Sequence, residues 1–141
     1  MSLKLILLAC FVALSACSLQ SEPQKVPLCT GNTLVSCTPV VYFDWGSAQL
    51  SSEAKRNLNW VVAKMQRFPR RRVVASGYTD NSGRPDKNLI LSKKRSLAVK
   101  SYLVRRGVDE DRIITEFNGE AEPVCTKRSC QPLNRRVELR L

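Results

Sequence analysis

The chain has 141 residues, which is enough for one domain with a hydrophobic core of its own. It carries 23 Lys and Arg against 12 Asp and Glu, a net charge of +11, which predicts attraction to anionic polymers and surfaces without selecting among them. The sequence contains no histidine, which removes the commonest general base and the commonest metal ligand.

The first residues have the order of an export signal. Lys4 precedes an uninterrupted apolar run at 5–14, and small residues follow at 15–16. A run of this length is too short to span a bilayer, which needs about 20 residues, but it fits the core of a signal peptide. We therefore predict export and not a buried strand or helix at this position.

Residues 14–17 read Leu-Ser-Ala-Cys and resemble the lipobox of bacterial lipoproteins. The resemblance implies that residues 1–16 are removed and that the sulfur of Cys17 carries diacylglycerol. It also implies retention at the outer membrane, because Ser18 and not an aspartate follows the cysteine. Each buried acyl methylene contributes about 0.8 kcal/mol, so several acyl chains hold a protein firmly at a membrane.

Residues 17–39 are polar, contain several prolines and lack a sustained apolar period, which predicts a short tether. Four cysteines remain besides the signal and Cys17, and an even number in an exported protein favours disulfides. Of three possible pairings we favour Cys29–Cys37 and Cys125–Cys130, whose partners are close in sequence and flanked by loop residues. A four-thiolate zinc site is the alternative, although these spacings do not match the tight pairs of zinc knuckles.

From residue 40 the chain alternates strand and helix signals in the order βαβαββ. The predicted elements are a strand at 40–43, a helix capped by Ser51 or Ser52 and closed by Pro69, a strand at 72–78, a second helix after a polar loop with Gly83 and Pro85 that stops at Gly107, a strand at 112–117, and an alternating strand at 136–141 with one wet face. This order predicts an α+β, two-layer sandwich over residues 40–141, with two helices packed on one face of a mixed four-stranded sheet.

Arg95 interrupts the apolar stripe of the second predicted helix. It lies four residues after Leu91 and four before Val99, a position that should face the protein. A buried guanidinium needs a partner, unless its stem packs and its head reaches solvent.

The loop that enters this helix supplies an acid, Asp80, together with the polar residues Thr79 and Asn88. A guanidinium binds a carboxylate in a bidentate manner, and an aspartate binds an ammonium. Opposite charges held here predict a receptor for a zwitterion such as an amino-acid head group. A structural salt bridge between Asp80 and Arg95 is the alternative.

The segment from residue 79 to residue 95 resembles the signature of the OmpA-like peptidoglycan-binding domain. The matching positions are Thr79, Asp80, Gly83, Asn88, Leu91, Ser92 and Arg95. Further matches follow the first strand, end the second helix and open the last strand: Phe43-Asp44, Ser47-Ala48, Leu50, Tyr102-Leu103, Gly107-Val108 and residues 134–138. The resemblance covers residues 40–141 at fixed spacings, which is far more specific than one short motif.

The resemblance implies non-covalent binding of peptidoglycan through the diaminopimelate of its stem peptide. Asp80 matches the acid that holds the ammonium, and Arg95 matches the cation that holds the carboxylate. The supporting positions are Thr79, Asn88 and, at the pocket rim, Arg135. Replacing Asp80 or Arg95 by alanine is expected to abolish wall binding and to leave thermal stability nearly intact.

Some positions depart from the family pattern or have a second interpretation. Tyr78 stands where histidine is common, Ser96 where alanine is common, and Gly46 offers no side chain in a loop that often lines the pocket. The charge of Arg135 has Glu138 as an alternative partner.

Together, the lipobox and the domain imply an outer-membrane lipoprotein whose domain faces the periplasm and bridges the membrane to the wall. The alternative is a lipoprotein subunit of a larger envelope machine, such as a secretion or motility apparatus, that uses the domain as its wall anchor. An exposed apolar patch outside the pocket would support that alternative.

Neither catalysis nor nucleic-acid binding is expected. Asp80 and Asp86 lie too close in one loop to form a glycosidase pair, and the cysteines are better used as disulfides. No cofactor or metal site is predicted. The basic clusters at 70–72, 93–94 and 105–106 lack the interleaved aromatic residues of nucleic-acid surfaces, and they are expected to be solvated faces near anionic lipid or wall polymer.

Overall fold

A computed structural model describes residues 38–141. Its main elements are β1 (Val40–Tyr42), α1 (Ser52–Arg67), β2 (Val73–Gly77), α2 (Pro85–Arg105), β3 (Ile113–Phe117) and β4 (Arg136–Arg140). Short 3-10 helices at Glu110–Arg112 and Arg128–Asn134 precede β3 and β4. The predicted order of strands and helices is therefore confirmed. The predictions for the signal peptide, Cys17 and the Cys29–Cys37 pair fall outside the described residues.

The four strands form one mixed sheet in the order β1-β4-β2-β3. β4 is antiparallel to both β1 and β2, whereas β2 and β3 are parallel. β1 and β2 therefore run in the same direction. The end of the sheet where β2 finishes, at Gly77, is called the β2 carboxyl end below, and the end where it starts, at Val73, is called the β2 amino end.

Both α-helices pack on one face of this sheet, as predicted. Ser51 caps α1, because its Oγ accepts a hydrogen bond from the backbone N–H of Ala54 at 3.0 Å. Alternate residues of the strands meet the apolar stripes of the helices. The largest buried apolar side chains of this core are Leu58, Met65, Leu103, Leu139, Val41, Val61, Val73, Val99 and Val137.

α2 approaches the end of β2 unusually closely. A Cβ atom added to Gly77 would overlap the carbonyl oxygen of Ser92 and the Oγ of Ser96. Ser92 and Ser96 are themselves fully buried, and Ser96 donates a hydrogen bond to the carbonyl oxygen of Glu116 at 2.8 Å. This contact holds the middle of α2, including Arg95, against the β2 carboxyl end.

The second helix begins earlier than the sequence indicates. Pro85 is not in the preceding loop but is the first residue of α2. Proline is well suited to this position because its missing N–H would have no helical partner there and its fixed φ is already helical.

The prediction of one wet face for the last strand is wrong in part. β4 lies inside the sheet, and Arg136 is buried on the face away from the helices. The guanidinium of Arg136 lies 4.0 Å from the ring centroid of Tyr78 and donates to Glu138 at 2.6 Å. Stacking and ion pairing thus allow a charge where alternation alone indicates solvent.

Near the end of the chain, the sulfur atoms of Cys125 and Cys130 are joined, with their Cα atoms 5.8 Å apart. The side chain of Asn134 supports the same loop by accepting from the N–H of Cys125 at 3.1 Å.

Among residues 38–141, no helix combines the length and apolar character needed to cross a bilayer.

Candidate functional site

The five residues predicted from the motif converge on the β2 carboxyl end. Thr79 and Asp80 follow β2 directly, Asn88 and Arg95 project from α2, and Arg135 precedes β4. All are buried except Arg135, which is partly exposed. Residues from three separate parts of the chain thus form one polar cluster.

Arg95 is at the centre of the cluster and is 0% exposed. Its Nε donates to the carbonyl oxygen of Ser47 at 2.8 Å, its Nη1 to that of Tyr78 at 2.9 Å and its Nη2 to that of Asp44 at 3.1 Å. The guanidinium carbon also lies 5.2 Å from the ring centroid of Phe43. The prediction that Arg95 faces the protein is correct, and its head does not reach solvent.

The electrostatic setting of Arg95 is mixed. Burial lowers its pKa to about 10, while the nearby Asp80 carboxylate raises it and the Arg135 guanidinium lowers it. The side chain stays protonated at neutral pH. Arg95, Asp80 and Arg135 therefore interact electrostatically as one group of charges.

Asp80 does not form its ion pair with Arg95, contrary to one of the two interpretations above. Its Oδ2 accepts from Nη1 of Arg135 at 3.2 Å, and its Oδ1 accepts from the backbone N–H of Ser82 at 3.2 Å and from the Ser82 hydroxyl. Arg135 also donates through Nε to the carbonyl oxygen of Phe43 at 3.1 Å. Arg135 is thus the direct partner of Asp80.

The alternative partner suggested for Arg135 is wrong for the same reason. Glu138 pairs with the neighbouring Arg136, with Nε and Oε1 2.6 Å apart. Because successive strand residues point to opposite faces of the sheet, Arg135 and Arg136 leave the chain in different directions. Arg136 and Glu138, two residues apart in β4, share one face.

Asn88 and Thr79 complete the cluster. Nδ2 of Asn88 donates to the carbonyl oxygen of Asp80 at 3.3 Å and to Oε2 of Glu120 at 2.6 Å, which ties the start of α2 to two loops. The backbone N–H of Thr79 donates to the carbonyl oxygen of Gly119 at 2.7 Å. Within residues 38–141, the buried Oγ1 of Thr79 has no hydrogen-bond partner. An unsatisfied buried hydroxyl, here on the residue that precedes Asp80, is the kind of group that a polar ligand can satisfy.

An aromatic side chain stands at the edge of the cluster. Trp45 is 72% exposed, and its Nε1 donates to the Oγ of Ser82 at 2.9 Å. Ser82 in turn contacts Asp80, so a short hydrogen-bonded chain runs from the indole to the carboxylate. Gly46, at φ 64°, makes the turn that follows Trp45.

Sequence reasoning did not identify several residues of this cluster. Ser82 could have been found from its position two residues after an aspartate, a common Asx-turn spacing. Phe43, Asp44 and Ser47 match the family pattern, but the sequence does not indicate that the ring of Phe43 and the carbonyls of Asp44 and Ser47 contact Arg95. Glu120 has no sequence signal, because it reaches Asn88 only through the folding of a loop 32 residues away.

The chemistry available here is recognition of charge. One carboxylate and two guanidinium groups lie together, with an amide and a hydroxyl beside them. In the described part of the chain, His, Cys, Asp and Glu side chains do not gather into a group of three able to hold a metal. The arrangement suits a ligand that carries an ammonium and a carboxylate.

The contacts of Arg95 also revise an expectation about stability. Alanine at this position would leave the backbone carbonyls of Ser47 and Tyr78 without a donor, and that of Asp44 with only the N–H of Ser47, so the fold itself should be weakened. Arg95→Ala therefore cannot separate binding from stability. Asp80 is better suited to that purpose because asparagine can replace it with the same shape.

Solved structures share this fold. The OmpA-like domain of FopA1 from Francisella tularensis superposes with a TM-score of 0.69 at 23% identity, covering 84% of this chain and 89% of that one. The peptidoglycan-associated lipoprotein from Burkholderia pseudomallei gives a TM-score of 0.64 at 25% identity, covering 72% of this chain and 87% of that one. The fold is that of OmpA-like domains.

The OmpA family model matches residues 42–135, and the chain belongs to the OmpA family. Among curated relatives, the peptidoglycan-associated lipoprotein of Pseudomonas putida is 41% identical over 101 residues, covering 70% of this chain and 60% of that protein. Outer membrane protein A of Bordetella avium is 32% identical over 102 residues, covering 71% and 53%. The resemblance inferred from residues 79–95 is thereby confirmed, and the chain spans between half and three fifths of these relatives' lengths.

Proposed function

We propose that this domain binds peptidoglycan non-covalently and recognises the zwitterionic end of a diaminopimelate side chain in the stem peptide. The observation that carries the proposal is the cluster of Asp80, Arg95 and the unsatisfied hydroxyl of Thr79 at the β2 carboxyl end. Relatives named as peptidoglycan-associated lipoproteins, which share this domain, support it.

Arg95 is suited to receive the ligand carboxylate. A guanidinium has five N–H donors, and three of those of Arg95 are directed at backbone carbonyls, so two remain on its terminal nitrogens. The carbonyls fix the orientation of these donors in advance, which lowers the entropy cost of binding. Because Arg95 is wholly covered, access to it requires movement of Arg135 or of the loop at 43–47.

Asp80 receives the ligand ammonium in this proposal, and Arg135 is the group that the ammonium displaces. The guanidinium of Arg135 already occupies Oδ2 of Asp80 at 3.2 Å, with only 17% of its side chain exposed. Exchange of one cation for another keeps the buried carboxylate neutralised throughout binding. The released Arg135 can then contact other polar groups of the stem peptide.

The proposal also includes a membrane anchor. Lipidation of Cys17, after removal of residues 1–16, would hold the chain at the outer membrane with its domain in the periplasm. Relatives that are named lipoproteins support this part. The protein would then connect the outer membrane to the wall without any catalytic step.

Co-sedimentation with purified sacculi tests the wall-binding part. Asp80→Asn keeps the shape of the side chain but removes the charge that holds an ammonium, and we expect a loss of at least about tenfold in affinity. The matched control is Asp86→Asn, which removes the same charge from an exposed side chain paired with Arg84. Equal binding of wild type and Asp80→Asn, with both proteins folded, would show that the pocket is assigned wrongly.

Two further measurements separate the finer parts of the proposal. Free diaminopimelate should displace the protein from sacculi, whereas cadaverine, which has the same two amines but neither carboxylate, should not. Equal competition by both would exclude recognition of the zwitterion. For the anchor, Cys17→Ser should move the protein from the membrane fraction to the soluble periplasm, and continued membrane association would contradict lipidation.

A second candidate function, as the wall anchor of a larger envelope assembly, is favoured by one surface. Ile90, Leu97 and Val104 are spaced seven residues apart on α2 and are 49%, 40% and 38% exposed. Such spacing places them in one line along the helix, as in helix–helix contacts. Crosslinking in cells from position 97 would give a discrete adduct of high mass if the assembly exists. The same experiment in a protein that also carries Ile90→Lys on that surface should give no adduct.

A further inference from the structure

We propose that the β2 amino end carries a surface that binds an anionic phospholipid bilayer. This surface, called the arginine surface below, consists of Arg67, Arg70, Arg71, Arg72, Arg105 and Arg106, all of which are exposed. It lies at the end of the domain opposite to the candidate wall site. The inference goes beyond the proposed function. The choice of a bilayer as partner rests in part on the proposed anchor at Cys17, whereas vesicle binding by the arginines does not require that lipid.

The topology brings these arginines together from two parts of the sequence. α1 ends at Arg67, and the following loop leads into β2 at Val73, so residues 67–72 lie at the β2 amino end. α2 starts beside the carboxyl end of β2 and runs back along the sheet, so Arg105 and Arg106 reach the same end. The side-chain amide of Gln66 contacts the carbonyl oxygen of Arg106 at 3.5 Å, which confirms that the two segments meet.

The loop that presents these side chains is held in a fixed shape. Arg112 donates through Nη2 to the carbonyl oxygens of Met65 at 2.8 Å and Phe68 at 2.9 Å, and through Nε to that of Arg71 at 2.9 Å. Its own side chain is only 14% exposed. A largely covered cation thus satisfies carbonyls at and just after the helix end. The six arginines of the surface remain exposed, and one of them, Arg106, also donates to the hydroxyl of Tyr102.

An aromatic ring lies among the arginines. Phe68 is 37% exposed, and the guanidinium carbons of Arg67 and Arg71 lie 5.8 Å and 5.0 Å from its ring centroid. A ring with cations beside it is the combination found at membrane surfaces, where the cations meet phosphates and the ring enters the headgroup layer.

The acids near this surface do not cancel its charge. Asp109, Glu110 and Asp111 lie in the loop between α2 and β3, at the same end. Glu110 pairs with Lys100 at 2.9 Å, and Asp109 lies 3.9 Å from Arg112, and neither cation belongs to the arginine surface. The six exposed arginines therefore outnumber the one remaining acid of that loop, Asp111, and the positive charge of the surface is complementary to anionic headgroups.

The position of the chain entry favours a bilayer over a wall polymer as the partner. The carbonyl oxygen of Pro39, just before β1, accepts from the N–H of Leu139 at 2.9 Å, close to the end of β4. β1 and β2 run in the same direction, so the N-terminal segment joins the domain at the β2 amino end. A bilayer bound at this end leaves the polar cluster around Asp80 facing the opposite way.

Vesicle sedimentation tests the inference with residues 17–141 carrying Cys17→Ser, so that no acyl chain contributes. We expect binding to phosphatidylcholine vesicles with about 30% phosphatidylglycerol, weaker binding to phosphatidylcholine alone, and loss of binding with added salt. The combined variant Arg70→Gln, Arg71→Gln and Arg72→Gln should bind the anionic vesicles about 10- to 100-fold more weakly. The double variant Arg105→Gln and Arg106→Gln, which changes the second segment of the arginine surface, should also bind the anionic vesicles more weakly.

The matched control removes the same charge elsewhere. Lys55→Gln, Arg56→Gln and Lys94→Gln change exposed side chains outside the arginine surface, and vesicle affinity should fall less than about threefold. Equal loss in both triple variants, or equal binding to both vesicle types, would overturn the inference. So would a triple arginine variant that keeps vesicle binding but loses sacculus binding, which would assign the surface to a wall polymer. If the triple arginine variant loses vesicle binding but keeps sacculus binding, the inference is supported, and the proposed wall site is unaffected by the result.

Discussion

Replacement of Arg95 by methionine tests the structural role of the buried guanidinium. Methionine retains most of the length and the packing of the stem but has no donors, so three hydrogen bonds disappear at once. The carbonyl of Tyr78 lies in a buried position, and those of Asp44 and Ser47 lie in partly buried ones.

The cost follows mainly from the carbonyls of Tyr78 and Ser47, which are left without a donor, since that of Asp44 still accepts from the N–H of Ser47 at 3.2 Å. Leaving a buried acceptor without a partner costs about 1–3 kcal/mol, and partly buried acceptors belong at the low end of that range. Relief from burying a cation offsets part of the loss, because burial lowers the pKa of Arg95 to about 10. We therefore expect the free energy of unfolding to fall by about 3 kcal/mol, a large share of the 5–15 kcal/mol typical of a domain.

Thermal unfolding followed by circular dichroism measures this directly, with urea unfolding as a second determination. For a domain of this size a loss of 3 kcal/mol corresponds to a drop in Tm of roughly 12–24 °C. Lys94→Met is the control, since it changes the preceding, exposed residue of α2 and should alter the free energy by less than about 0.5 kcal/mol. A Tm for Arg95→Met within a few degrees of wild type would refute the conclusion that the hydrogen bonds of Arg95 stabilise the loops that contain these carbonyls.

Two other predictions concern side chains outside the candidate site. The pKa of Tyr78 is raised above its ordinary value of 10.0 by burial and then by Glu138 and Glu122, so its stabilising contribution is complete below pH 10.0 and is lost as the pH rises through the higher folded pKa. The difference between the tyrosinate absorbance titrations of wild type and Tyr78→Phe should show this late ionisation. A midpoint at or below pH 10.0 would contradict it. Arg112→Ala leaves the carbonyls of Met65 and Arg71, at the end of α1 and in the following loop, without their donor, while that of Phe68 keeps the N–H of Arg71. It should lower the free energy of unfolding by about 1–3 kcal/mol in urea unfolding. Arg56→Ala, at an exposed position, should not, and equal stability of the two variants would count against the role of Arg112.

The fold could be predicted from the sequence because its local signals agree. Helical spacing in α1, the serine that caps it, and the β-branched run of β2 each indicate the element that forms. Pro85 was misplaced because proline is typical both of loops and of the first turn of a helix. The buried charge of Arg136 could not be foreseen, since it depends on where β4 lies in the sheet and on the ring of Tyr78.

The sequence predicted which residues lie in the candidate cluster but not which of them form ion pairs and hydrogen bonds with each other. Arg95 was found because it breaks an apolar stripe, and Asp80 because an acid precedes it in the entering loop. Which cation neutralises Asp80 is decided by tertiary structure, which brings Arg135 across 55 residues of sequence. Partners made of backbone carbonyls, such as those of Arg95, carry no side-chain signature and are therefore invisible to sequence patterns.

The short edge strand β1 determines how the domain would respond to pulling. Its pairing with β4 consists of Val40, Val41 and Tyr42, and the chain enters it at the end of the sheet opposite to Asp80. Tension applied between that entry point and the polar cluster runs along the strand, so it loads the bonds between β1 and β4 in shear. Hydrogen bonds loaded in shear share the force, whereas those at a peeling edge break one after another. A three-residue strand in this orientation can therefore transmit a stretching load that the same strand, entered from the other end, would not withstand.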